Sequence, residues 1–476
     1  FENPVLSALA NVMVAMQPKP LMATGILENT ADDDDERLFS VVSNASNAHK
    51  PFDLLPMQRA YWMGQRFLQA ALQEDQDRMY SPHVYFEYDV DGALNMSLVE
   101  ATVDTLVARH PLLRAVVNED GQMCVLPVDT VRGGWTASIV EGRDAVQKDM
   151  MRHGPTTDAF PLFDIRFTTD GPSMRVHISL SLFIMDGRTE RILRDEIARV
   201  YTELANGNSP VTLPAIGITY RDYAESTVRL LSKEEYKNAK AYWDARLPEL
   251  PPPPDIPLLD PDAVSRNVTH FGGTLDPPLW SRLKARAASI GTTSTALLCT
   301  LYAAALGRFS SRSTFLLNVM HTLRHDVHPD MGKVIGNFSS TILLAVEVHG
   351  DLPFTDIVRG VSQRLAKDLD NSIVSGVDIM RAINQARGSA FQAVAPYAFT
   401  STMGMDDGLT GLDAAVKSAV GVRQVYSCVQ TPQTWLDHQV EEDEATHELV
   451  FNFDFLDGVF PVAVMEGIVA TYMRLL

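Results

Sequence analysis

The chain has 476 residues, 46% of them hydrophobic and 21% charged, the balance of a globular protein with material enough for two lobes around a large core. Its 40 Lys and Arg stand against 60 Asp and Glu, and a net charge of -20 argues against nucleic acid, which needs a basic surface. No apolar run approaches the ~20 residues of a membrane span, and Cys124, Cys299 and Cys428 are too scattered for a metal or disulfide framework, so reduced thiols in a cytoplasmic protein are expected.

The chain begins at Phe1 with no charged-then-apolar leader, which reads as a piece of a longer chain. Residues 5–16 predict a short helix. The acidic run Asp32-Asp33-Asp34-Asp35-Glu36 and the Ser/Asn-rich stretch after it predict a solvated extension or interdomain linker over 1–50. From 52 to 72 a helix is predicted. Pro56 suits its first turn, and Gln58, Tyr61, Trp62 and Gln65 recur at helical spacing. Residues 83–90 alternate as a strand does. Asn95 caps a helix whose apolar face is Leu98, Val99, Val103, Leu106 and Val107. Residues 112–117 read as a buried strand, 162–168 and 174–182 as further strands, and 189–205 as an amphipathic helix.

Residues 247–266 are proline-rich and must run extended, so they are read as a crossing between a first lobe at 51–246 and a second at 267–476. The second half predicts strands at 268–275, 315–320, about 340–344, about 398–401, 422–429 and 449–454. Helices are predicted at 277–290, 293–309, 354–369, 378–386 and from Pro461. Between its last two strands, Gln430-Thr431-Pro432-Gln433-Thr434-Trp435-Leu436-Asp437-His438-Gln439-Val440 reads as a polar loop able to line a site. An adjacent Asp and His on one strand point apart, so Asp437 is expected to be structural and His438 a surface or core residue. No phosphate-binding loop, dinucleotide fingerprint or serine elbow is present, and no metal site is expected.

Several stretches resemble signatures of the heterocyclization domains of nonribosomal peptide synthetases, members of the condensation-domain superfamily. The run from Phe52 through Gln58, Ala60-Tyr61 and Gly64 resembles their opening signature. Arg109-His110-Pro111-Leu112-Leu113-Arg114, Phe399-Thr400-Ser401, Gln430-Thr431-Pro432-Gln433 with Leu436-Asp437, and Phe453-Asp454 follow in the family's order. The resemblance implies a two-lobed α/β fold of the chloramphenicol-acetyltransferase type, V-shaped with a central tunnel. It implies substrates held as thioesters on the phosphopantetheine arms of donor and acceptor carrier domains, with no cofactor bound by the domain itself. Neighbours would be an adenylation or a second cyclization domain. The implied reaction joins an acyl group to Cys, Ser or Thr and closes a thiazoline or oxazoline ring by losing water. Thr431 and Asp454 stand at the positions associated with that cyclodehydration.

Three departures from the family are visible. Its Asp-x-x-x-x-Asp-x-x-Ser motif reads here Ser181-Leu182-Phe183-Ile184-Met185-Asp186-Gly187-Arg188-Thr189, so the first aspartate is Ser181 and the last serine Thr189. Leu323 replaces the asparagine usually found before Arg324, and Gly336-Asn337-Phe338-Ser339 replaces Gly-Asp-Phe-Thr. Asp186 is expected to pair with Arg324 and fix a strand end. Gln430, Gln433 and Asp437 are expected to support the site. A domain that keeps ring closure better than amide formation follows. The alternatives are a condensation-only domain and an inactive scaffold that docks carriers.

Overall fold

A computed structural model describes residues 39–71, 81–170, 173–259, 267–387, 393–403, 422–431, 434–443 and 446–476. The predicted helix at 5–16, the acidic run and Gln433 lie outside the described residues. Among the described residues, three sheets organise the chain. A small one pairs β1 (Phe52–Asp53), β4 (Gln122–Val125) and β3 (Ala115–Val117). A four-stranded antiparallel sheet has the order β11 (Val422–Gln430), β2 (His83–Val90), β6 (Ser173–Ser181), β5 (Phe163–Asp170). A six-stranded mixed sheet has the order β7 (Val268–Leu275), β13 (Leu449–Leu456), β12 (Leu436–Glu442), β10 (Tyr397–Ser401), β8 (Thr314–Thr322), β9 (Ser339–Glu347). The strand β10 runs parallel to both its neighbours; the other pairs in this sheet are antiparallel.

Most helices form where apolar periodicity and caps place them. Asn95 accepts the amides of Ser97 and Leu98 at the start of Met96–Arg109, and Thr293 accepts the amide of Ala296 at the start of Ser294–Gly307. The latter helix is apolar all round and buried along most of its length, from Ala296 to Leu306, inside the core of the larger sheet. A separate core, containing Trp62, Phe163, Phe183 and Phe338, fills the other half.

Four expectations change. Residues 112–117 are not one strand: Pro111–Arg114 is a 3-10 turn, and only Ala115–Val117 pairs. Pro111 lacks an amide and fixes φ, while the Arg114 guanidinium binds the carbonyls of Val107, Ala108 and Leu126, which favours the compact turn. Residues 39–50 do not stand off as a tether, because Phe39 and Val41 are buried and Phe39 packs on Tyr223 and His325. The halves are not separated by one crossing, because β11 from the second half completes the sheet of the first. The extended proline run between them is pinned by its own backbone, the Pro252 carbonyl accepting from Leu316 and the Leu259 amide donating to Val459.

The fourth change matters most. Residues 430–440 are not one loop, because Leu436–Glu442 is an interior strand of the six-stranded sheet. Its side chains alternate. His438 faces the core with Phe399 and Phe453 as cross-strand partners, and Asp437 and Gln439 face the other way.

Candidate active site

Strand register builds a polar row on the face opposite His438. Asn318 on β8 pairs with Ala398 on β10, Ala398 with Asp437 on β12, Asp437 with Asp454 on β13, and Asp454 with His270 on β7. One step along lie Thr400, Gln439, Asn452 and Gly272. The period of two that turns Phe399, Phe453 and Phe271 to one face thus gathers two carboxylates, three carboxamides and an imidazole on the other.

Asp454 is 4% exposed and fully engaged. Its Oδ1 accepts His270 Nδ1–H at 2.7 Å, and its Oδ2 accepts the Val429 amide at 3.1 Å and Gln439 Nε2–H at 3.1 Å. The bond from Val429 ties the end of β11 to the larger sheet, two residues before Thr431, which is half-buried. Asp437 is 8% exposed and has weaker company. It accepts Thr400 Oγ1–H at 3.2 Å and Gln439 Nε2–H at 3.2 Å, both neutral donors. Burial, and then the Asp454 charge directly opposite, push its carboxyl up to about 7. Cys428, buried on β11, is raised by burial and then by Asp454, so it stays a thiol. Gln430 is buried; its Nε2 donates to the Met151 carbonyl, while its Oε1 has no protein partner.

The other predicted residues form a second cluster at the start of helix Gly187–Ala205. Asp186 caps that helix through the Thr189 amide at 2.8 Å, accepts the Phe338 amide at 3.2 Å, and meets Arg324 Nη2 at 3.3 Å. The guanidinium also donates to the carbonyls of Met331 and Val334 and lies 3.9 Å over the Phe338 ring. Thr189 Oγ1 donates to the Gly336 carbonyl at 2.9 Å and accepts the Gly336 amide at 2.9 Å. Gly336 admits no side chain, since a Cβ there would stand 2.1 Å from the Tyr220 ring. Ser181 is buried opposite His83, and its Oγ accepts the Phe183 amide at 3.4 Å.

The structure therefore joins Asp186, Arg324 and Thr189 in one cluster and Asp454 and Asp437 in another, with Gln430 and Thr431 at the end of the strand that reaches the second. His270, Gln439 and Thr400 complete that second cluster. Of these, His270 and Gln439 are not singled out by sequence. His270 sits alone among apolar and small residues on β7, and its only signal is an imidazole on a strand whose other residues carry no charge. His438 is a core residue: it is fully buried, stacks 4.0 Å from Phe453, and is pushed down to about 3 by burial. Among the described residues, no group of three or more His, Cys, Asp or Glu is placed to hold a metal ion.

The family model of the condensation domain matches residues 51–476. Pyochelin synthetase PchF of Pseudomonas aeruginosa is 29% identical over 439 residues, covering 90% of this chain and 23% of that protein. Phenyloxazoline synthase MbtB of Mycobacterium tuberculosis is 29% identical over 435 residues, covering 89% of this chain and 29% of that protein. The chain thus spans less than a third of the length of these relatives. Among solved structures, the EpoB cyclization-docking bidomain from Sorangium cellulosum superposes with a TM-score of 0.78 at 25% identity, covering 98% of this chain and 97% of that one.

Proposed function

The chain belongs to the condensation-domain family, whose mixed α/β fold it has, and we propose that it is a member of the heterocyclization type. Its reaction is cyclodehydration of an acyl-Cys, acyl-Ser or acyl-Thr thioester to a thiazoline or oxazoline. The substrates ride on the phosphopantetheine arms of donor and acceptor carrier domains, beside an adenylation or second cyclization domain. The observation that carries this reading is the Asp454 carboxylate, held by three donors on the polar sheet face and tied through Val429 to the strand that ends at Gln430, one residue before Thr431.

Ring closure begins when the substrate's thiol or hydroxyl adds to the preceding amide carbonyl. The adduct then loses its hydroxyl as water and its N–H proton, so a carboxylate within reach of nitrogen does useful work. In this reading Thr431 holds the departing oxygen or orients the carboxylate. Amide formation, by contrast, has little support from residues 181–189. No histidine stands there, Ser181 carries no charge, and Asp186 is committed to Arg324 and two backbone amides.

The test supplies a carrier-bound acyl-Cys or acyl-Thr with its amide already made and follows mass. Loss of one water, slowed at least about 10³-fold in Asp454→Ala and about 10²-fold in Thr431→Ala, is the expected result. No mass loss while separate donor and acceptor thioesters still condense would replace this reading with amide formation alone.

A further inference from the structure

The two aspartates of the polar row differ in what surrounds them. Asp437 and Asp454 are direct cross-strand partners, so their side chains leave adjacent strands on the same face. One carboxamide, Gln439, donates to both, at 3.2 Å and 3.1 Å. Two carboxylates this close and this buried repel strongly if both are ionised, and the cheaper state keeps one proton. The surroundings decide which side holds it. Asp454 has the His270 ring at 2.7 Å and a backbone amide, both suited to an anion. Among the described residues, Asp437 has the Thr400 hydroxyl and the shared Gln439 amide.

Among the described residues, no cation pairs with Asp437 to change this. The groups that feel its charge are Asp454, Tyr302 from helix Ser294–Gly307, Tyr61 from helix Pro56–Ala71, and Cys428 on β11. Burial raises both tyrosines and the cysteine, so all three stay neutral at ordinary pH. The charge of Asp437 thus reaches Tyr61 of the first half of the chain, which packs on Phe183.

We infer that Asp437 and Asp454 form a proton-sharing pair, with the proton on Asp437, and that Asp437 is the acid that protonates the departing oxygen. The second half of this inference rests on the cyclodehydration reading; the first half does not. In the ring adduct the C–O bond breaks and its electron pair leaves with oxygen. The Asp437 proton joins that oxygen and completes a water molecule. The nitrogen lone pair forms the C=N bond, and the N–H proton passes to the Asp454 carboxylate. The pair ends with its proton moved from one aspartate to the other, and exchange with solvent restores the starting state. No oxidant or second reagent is required.

Two measurements on the same protein decide the matter. In an infrared difference spectrum of wild type against Asp437→Asn, a protonated-carboxyl band is expected at pH 5.5 and absent at pH 9, a signal that the His270 ring cannot produce. Absence of that band at pH 5.5 overturns the shared proton, whatever the activity. The second measurement is the pH profile of water loss from the preformed acyl-Cys carrier thioester. Wild type is expected to lose rate on the alkaline side, where Asp437 ionises. Asp437→Asn keeps the hydrogen-bonding shape and is expected to be slower by about 100-fold with KM unchanged and the alkaline limb gone. Asp437→Glu is expected to recover part of the rate and the limb. If Asp437→Asn runs at the wild-type rate with its limb intact while Asp454→Ala is silent, the acid role of Asp437 falls and cyclodehydration stands. If wild type loses no water at all, the acid role falls with the cyclodehydration reading, and the infrared band still decides the shared proton.

Discussion

Asp186 and Asp437 are the same residue type, nearly equally buried, at 7% and 8% exposed, yet the fold treats them oppositely. Asp186 receives a guanidinium and two backbone amides, and it ties the start of one helix to Phe338 and Arg324. Asp437 receives a hydroxyl and a shared carboxamide, and it faces a second carboxylate. The lesson is that burial alone does not mark a chemical group. A buried carboxylate paired with a guanidinium holds structure, and one that faces a second carboxylate keeps a proton available for transfer.

That contrast breaks first at Asp186. Asp186→Ala leaves the Arg324 guanidinium buried without its anion, and a loss of about 3–5 kcal/mol is expected from chemical denaturation. Adding Arg324→Met should recover part of the loss, since the methionine still packs on Phe338. A small effect of Asp186→Ala would mean that the ion pair is not what fixes the helix start.

At Asp437 the expected effect is smaller and has a pH signature. The folded carboxyl titrates near about 7, well above the ~3.9 of an unfolded aspartate. Between those values the folded chain binds more protons than the unfolded one, so this group's contribution to stability is present below about pH 4 and is lost as pH rises through about 7. Asp437→Asn removes that dependence. Relative to wild type the variant is expected to gain about 1–3 kcal/mol at pH 8 and nothing at pH 4, read as the difference in denaturation midpoints. A gain equal at both pH values would contradict a raised carboxyl.

Ser181 gives the smallest effect. It stands where the family carries an aspartate, but here its hydroxyl makes one long bond to the Phe183 amide. Ser181→Ala is expected to change stability by less than about 1 kcal/mol and to leave the rate of water loss unchanged. A large loss of rate would return residues 181–189 to the chemistry.

The helices and most strands were legible in the sequence because apolar period and caps are local. Asn95 and Thr293 mark their helix starts by the same side-chain bonds that the structure shows. The strand β12 was hidden for a physical reason. Polar residues such as Asp437 and Gln439 on an interior strand read as loop unless a second layer is known to cover that face. Thr431 and Asp454 were singled out as candidates through resemblance. His270 was not, because nothing within its own strand says that an aspartate 184 positions away will meet its ring.

By itself, the sequence determined the types of element, their approximate order, the separation of Asp437 from His438 onto opposite faces, and the family. Only the tertiary structure decided which aspartate is neutralised by a cation and which is left to share a proton. Local periodicity fixes the direction a side chain takes, whereas its charge state depends on burial and on neighbours delivered by strands remote in the chain. For Asp437 and Asp454 those neighbours come from β7, β10 and β11 as well as from their own hairpin.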